Sequence, residues 1–166
     1  MPAPVTPEPI SGPTGSIEES LLVPLPPQDV YAAISDVRRM REWSPEVVAV
    51  WRFGQRFVGV NRSGPFLWFT TCRIVVAVPG REFAFDVTTF GLPVARWGYR
   101  LTTADGATLL TEYWADHRGG GWRGRVVEVL GRAFTGTPPE QRAARNRQGM
   151  RTTLQRFRDA SVRAAP

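Results

Sequence analysis

Two hydrophobic periods alternate along this chain. Ile17, Leu21 and Val23 recur among mostly polar neighbours, as in a half-buried strand, and Pro24, Pro26 and Pro27 then stop the pattern. Pro27 to Asp36 follows helical spacing, with Val30, Ala33 and Ile34 along one side. Arg38 to Trp43 gives a second helical turn, ended at Ser44-Pro45 because proline disfavours helix in the residue before it. From Val47 to about Asp116 the period is two. Strands are predicted at Val47 to Phe53, Phe57 to Arg62, Leu67 to Val78, Glu82 to Thr89, Ala95 to Thr103 and Ala107 to Ala115, punctuated by glycine- and proline-bearing turns. Every connection is too short for a crossover helix, so the sheet reads as an antiparallel meander. After Gly119 to Gly121 helical spacing returns, and Trp122 to Phe134 sets Val126, Val129, Leu130, Ala133 and Phe134 on one face.

The last segment is the longest helix. Thr137, Pro138, Pro139 and Glu140 combine an N-cap, proline at the first helical position and a capping-box glutamate. Nothing breaks the helix before about Ala164, a length of roughly 40 Å at about 1.5 Å per residue. Its inner stripe is mixed: Ala143, Asn146, Met150, Thr153, Leu154, Phe157 and Ser161. Arg142, Arg145, Arg151, Arg156, Arg158 and Arg163 fall on the flanks and back, and read as a solvated outer face.

Turn chemistry sets which strand residues face inward. Centring a two-residue hairpin on Asp105-Gly106 pairs Leu101 with Leu110, Tyr99 with Glu112, and Trp97 with Trp114, all on one face. Arg96, Arg100, Thr111 and Tyr113 then face the other way, which puts both arginines in solvent. Similar counting around Pro79-Gly80 groups Trp68, Thr70, Cys72, Ile74 and Val76 with Phe83, Phe85 and Val87. Phe57, Gly59 and Asn61 share that face, and Gly59 leaves room in the concavity. The inner lining is thus aromatic, with Asn61, Thr70, Tyr99 and Glu112 as its polar groups. Such a lining suits a flat apolar ligand oriented by a few polar contacts, although the aromatics alone would also make an ordinary core.

Glu112 carries the sharper expectation. A carboxylate on an apolar face is costly unless hydrogen-bonded, and burial raises its pKa towards the range of general acid/base catalysis. Two readings stay open: a structural bond to Tyr99 or Asn146, or a part in ligand chemistry. His117 beside Asp116 invites a dyad, but neighbours in an extended chain point to opposite sides, which favours an exposed loop histidine. Cys72 reads as a small inward filler.

Composition narrows the classes. The 166 residues suit one domain, 15–166, after a proline-rich leader, 1–14, expected to be disordered. The net charge of +6 is carried by arginine alone, since the chain has no lysine, and suggests a solvated surface rather than a nucleic-acid binder. One cysteine and one histidine exclude a disulfide framework and leave a metal site without its usual ligands. Phosphate-binding glycine loops and nucleophile elbows are absent, and no cofactor is expected. No apolar run reaches a membrane span and no signal peptide is apparent, so a cytoplasmic protein without stable membrane insertion is expected, as monomer or homodimer.

The element order, with Val23-Pro24-Leu25-Pro26, Ser35-Asp36-Val37, Trp43-Ser44-Pro45-Glu46, Gly59-Val60-Asn61-Arg62, Trp68, Thr70-Thr71-Cys72, Ala107-Thr108 and Thr111-Glu112, resembles the START-like superfamily (SRPBCC, Bet v 1-like helix-grip), in its bacterial polyketide cyclase/dehydrase branch. The resemblance runs from Ser16 to Ala164. It implies an α+β helix-grip fold, a curved seven-stranded antiparallel sheet around the long C-terminal helix, with an apolar cavity between them. It further implies a small hydrophobic partner, either cyclised or dehydrated by the protein or merely carried or sensed as a lipid or quinone. On this reading Glu112, Tyr99 and Asn61 are the catalytic candidates. The ligand-binding candidates are Trp43, Phe57, Gly59, Trp68, Thr70, Cys72, Phe83, Phe85, Trp97 and Trp114, with Asn146, Met150, Leu154 and Phe157 from the last helix. Trp43 would close the helical end of the cavity.

Overall fold

The computed structural model describes residues 16–135 and 139–164. The 1–14 leader and the Thr137-Pro138 cap therefore lie outside the described residues. The order is β1 (Ser16–Val23), α1 (Pro27–Ser35), a 3-10 turn (Val37–Arg39), α2 (Met40–Trp43), β2 (Val47–Phe53), β3 (Arg56–Ser63), β4 (Phe66–Val78), β5 (Glu82–Thr89), β6 (Leu92–Ala104), β7 (Ala107–Asp116), α3 (Trp122–Thr135) and α4 (Pro139–Ala164). The strands form one antiparallel sheet in the order β1-β7-β6-β5-β4-β3-β2, so six consecutive strands meander and β1 closes against the last of them. The sheet and long helix make the α+β helix-grip architecture.

The β6–β7 hairpin has the register that its turn demands. Asp105 and Gly106 both have positive φ, 46° and 81°, the conformation of a two-residue turn matched to strand twist. Leu101 stands opposite Leu110, Tyr99 opposite Glu112 and Trp97 opposite Trp114. Across the β4–β5 pair, Cys72 faces Val87 and Ile74 faces Phe85, while Arg73 and Asp86 meet outside; a bulge between Ile74 and Val76 shifts the register nearer the turn.

One end of the concave face is solid core. Val23, Val30, Ile34, Val37 and Leu110 are fully buried or nearly so, with Phe83, Leu154 and Phe157 around them. The Trp43 ring of α2 meets Phe157 of α4 edge-on at 5.0 Å. Ion pairs fix α4 over this face: Arg147 and Arg151 both reach Glu19 of β1 at 3.1 Å, and Arg145 reaches Glu46 at 3.2 Å.

α3 lies against β4 and β6, and its buried face differs from the expected one. Val127 is buried, whereas Val126 and Val129 are exposed. Gly124 is buried on the same side as Val127, and a Cβ there would stand 2.0 Å from the carbonyl oxygen of Gly119 in the preceding loop, so the helix start packs backbone to backbone on that side. Ala133 and Phe134 of the expected face lie outside the described side chains.

The convex face carries one close fit. The Tyr113 ring lies on Gly98, where a Cβ would meet ring atoms at 2.3 Å; its hydroxyl donates to Glu82 at 2.8 Å, and the Arg100 guanidinium sits 5.0 Å from the ring centre. Any side chain at position 98 evicts the ring. Gly98→Ala is therefore expected to destabilise the fold by about 1–3 kcal/mol in urea denaturation, the usual cost of overpacking, and Tyr113→Ala in the same background should recover part of that loss.

Candidate functional site

Beyond the solid core, the sheet and α4 part around a cavity of about 220 Å³. The sheet side is formed by Phe57, Gly59 and Asn61 of β3, Trp68, Thr70 and Cys72 of β4, Phe85 and Val87 of β5, Val94, Trp97 and Tyr99 of β6, and Glu112 and Trp114 of β7. Period-two alternation puts these on the concave face, except Val94, which reaches it through the register shift between Val87 and Thr88 of β5. Met40, Ser44, Pro45, Glu46, Val47 and Val50 close one side. α4 supplies Arg142, Arg145, Asn146, Gly149 and Thr153, whose spacing of three and four residues makes one stripe.

Of the residues singled out in the sequence, Glu112, Tyr99, Asn61, Phe57, Gly59, Trp68, Thr70, Cys72, Phe85, Trp97, Trp114 and Asn146 border this cavity. Trp43, Phe83, Leu154 and Phe157 do not; they belong to the solid core. Met150 is likewise outside the lining, fully buried beside Ala95 and Trp114. The cavity-facing stripe of α4 is thus turned away from the Met150–Leu154–Phe157 stripe that the apolar pattern singles out. Those three large apolar side chains seek the sheet and the core, which leaves the polar flank of the helix over the cavity. Arg142 and Arg145, expected on the solvated back, line it instead.

Glu112 is the chemical centre of the cavity. Only 3% of it is exposed, and Tyr99 donates to its Oε1 at 3.1 Å. Its Oε2 is buried with no hydrogen-bond partner. Burial pushes its pKa up to about 8 against the opposing effect of the Tyr99 bond, so the carboxyl is largely protonated at neutral pH. Burial and the neighbouring Glu112 raise the Tyr99 pKa well above the phenol range, which keeps that hydroxyl a donor. Asn146 borders the cavity, but the hydrogen bond that Glu112 makes is to Tyr99. Asn61 donates through Nδ2 to Thr70 Oγ1 at 3.2 Å. A Cβ at Gly59 would stand 3.1 Å from that same Thr70 oxygen, so the glycine gives this polar pair its room. The Cys72 thiol is pushed up to about 12 by burial and is inert as a nucleophile.

A second polar group sits where α4 meets the turn before β2. Arg145 bonds Glu46 and the Ser63 hydroxyl, and burial raises the Glu46 pKa against the pull of Arg145. In the sequence Glu46 entered only within the Trp43-Ser44-Pro45-Glu46 turn, and for Arg142 and Arg145, which read as a solvated outer face, periodicity gave no signal. Gly149 offered one: a glycine inside an otherwise unbroken helix costs stability and asks for a reason. A Cβ there would meet nothing within 4 Å. His117 is separate from the cavity lining; its Nδ1 lies 3.8 Å from Asp86, while Asp116 bonds Arg118. Among the described residues no group of three or more His, Cys, Asp or Glu is placed to hold a metal ion, and no helix is long and apolar enough to cross a membrane.

This architecture has known relatives. Residues 14–161 match the family described as polyketide cyclase / dehydrase and lipid transport, and the chain belongs to that family. Among solved structures it is similar to the Polyketide_cyc-like protein Cgl2372 from Corynebacterium glutamicum, with 26% identity and TM-score 0.56, covering 89% of this chain and 92% of that one. Two more distant likenesses show the shared fold. The ZhuI aromatase/cyclase from Streptomyces sp. R1128 has 16% identity and TM-score 0.66, with coverage of 89% and 93%. Ara h 8.0201 has 12% identity and TM-score 0.64, with coverage of 89% and 97%. No curated protein matches the chain in sequence.

Two outcomes are expected from the site's own chemistry. Because the folded state holds the Glu112 proton more tightly than the unfolded chain, whose glutamates titrate near about 4.3, its contribution to stability is full below that pH. It is then lost as pH rises towards and through about 8, at up to about 1.4 kcal/mol per pH unit. Glu112→Gln keeps the Tyr99 bond and removes the ionisation, so its Tm advantage over the wild type should grow between pH 5 and pH 9; a pH-independent difference would mean that Glu112 titrates normally. Gly149→Ala should gain about 0.5–1 kcal/mol of helix stability in urea denaturation, because its methyl enters open space rather than a packed wall.

Proposed function

We propose that this chain binds a small, flat, apolar molecule between the sheet and α4, and promotes its cyclisation or dehydration with Glu112 as proton donor and acceptor. The observation that carries the reading is the unpartnered Oε2 of a buried, largely protonated Glu112 at the wall of an aromatic-lined cavity. A neutral carboxyl in such a site donates to a ligand carbonyl or hydroxyl oxygen, and its conjugate base accepts a proton from an adjacent enolisable carbon. Tyr99 holds the carboxyl in place, and Asn61 orients the carbonyl. The volume of about 220 Å³ lies below the roughly 300–1,000 Å³ of drug-sized sites, which suits one or two fused rings better than a long unfolded chain. Family membership supports a hydrophobic ligand without choosing between chemistry and carriage.

Carriage or sensing without chemistry is the second reading, and one observation favours it. The Tyr99 hydroxyl is committed to Glu112, so Glu112 would have to manage both proton transfers alone, and Asn61 Nδ2 already donates to Thr70.

The ketone 2-acetonaphthone separates the two. It is expected to raise the Tm, by the stabilisation of roughly 2.7 kcal/mol that ligand at a hundred times its Kd confers; absence of any shift removes the binding reading. In deuterated buffer the wild type should accelerate deuterium exchange at the methyl group next to the carbonyl, followed by NMR, and Glu112→Gln should bind the ketone without accelerating exchange. Binding with no acceleration by the wild type selects the carrier.

A further inference from the structure

Arg142 lines the cavity from the first turn of α4, yet among the described residues it makes no hydrogen bond, and its Nη2 is shielded from water without a partner. Its neighbours already hold carboxylates, although Arg118 Nη1 is likewise buried without a partner among the described residues. Arg118 takes both oxygens of Asp116 through Nε, at 2.8 and 3.0 Å, and Arg145 takes Glu46 at 3.2 Å. Glu128 of α3, exposed to solvent, acts on Arg142 only at a distance. Arg142 and Arg145 thus share the cavity lining, and burial, then Arg118 and Arg145, work against the charge of Arg142, while Asp116 and Glu128 favour it.

The local backbone adds to this. The positive end of the α4 dipole lies at the same place, a position that disfavours a cation and favours an anion. Opposite, on α3, Gly131 makes the room: a Cβ there would stand 2.6 Å from Arg142 Nη2 and 3.1 Å from Nη1. A guanidinium held part-buried at a helix start, with no acceptor among the described residues, is costly unless something else supplies the acceptor. The planar fork of arginine matches a carboxylate with two parallel bonds.

We propose that Arg142 is the anion-binding end of the cavity, and that the ligand is an aromatic or polyketide-like acid whose carboxylate meets Arg142 while its apolar body lies along Trp68 and Trp97. This rests on the binding function proposed above and names the substrate class of that site. The carboxylate end and the Glu112 end then impose one orientation on the molecule.

The test compares 6-acetyl-2-naphthoate with its methyl ester by isothermal titration calorimetry at pH 7, with 2-acetonaphthone as the control for binding itself. The wild type should bind the acid roughly tenfold or more tighter than the ester, the yield of a charge-assisted bond pair. Arg142→Gln should bring the ratio to about one, the loss falling on the acid far more than on the ester or 2-acetonaphthone, and Arg142→Lys, which keeps the charge without the fork, should restore part of it. Equal binding of acid and ester by the wild type overturns the assignment and leaves the cavity function standing. So does an acid preference that survives in Arg142→Gln. Failure of all three probes to bind overturns both.

Discussion

The hairpin turn at Asp105-Gly106 is the constraint on which the site depends. Both residues hold positive φ, and the turn they make fixes the pairing of Tyr99 with Glu112 and of Trp97 with Trp114. A strand has a period of two, so a slip of one residue would turn Glu112 outwards and bring Arg100 or Tyr113 into the concave face. On the convex side the same register stacks Tyr113 on Gly98 and ties its hydroxyl to Glu82. The two faces thus secure each other: the outer stack resists any slip that would dismantle the inner acid.

Electrostatically the cavity has two unlike ends. At the sheet, Glu112 is neutralised by its surroundings, and one phenol satisfies one of its oxygens. At the helix, charges are kept as charges: Glu46 and Arg145 pair across the gap between α4 and the turn before β2, and Arg118 pairs with Asp116. The first end suits proton chemistry because water is excluded; the second tolerates full charges because it is only partly buried. The aromatic walls of Trp68, Trp97 and Phe85 line the same cavity.

Much of the sheet was legible in the sequence. The turns at Asp105-Gly106 and Pro79-Gly80 and the alternation of arginines with aromatics set strand limits and facing, because period-two patterning leaves few registers that keep Arg73, Arg96 and Arg100 in solvent. The helices were less legible. In α4 the large apolar residues Met150, Leu154 and Phe157 dominate the amphipathic pattern, yet they pack into the core beside the cavity. Of the residues over the cavity, Asn146 and Thr153 fall on the inner stripe that the sequence marks, whereas Arg142 and Arg145 look like a solvent face, since a polar flank over a cavity and a polar flank over water have the same composition. In α3 the buried side includes Gly124, which packs through its backbone on Gly119 and so leaves no mark on the apolar side-chain pattern.

Gly149 gives this arrangement a wider meaning. The acid and its hydrogen-bond partner belong to two neighbouring strands, whereas the depth of the cavity over α4 is set by a helix position with no side chain. Under the proposed function, size selectivity and reactivity would reside in separate secondary-structure elements. A lineage could enlarge or shrink the accepted molecule through the residue at position 149 while inheriting the strand chemistry unchanged, and a designer could do the same.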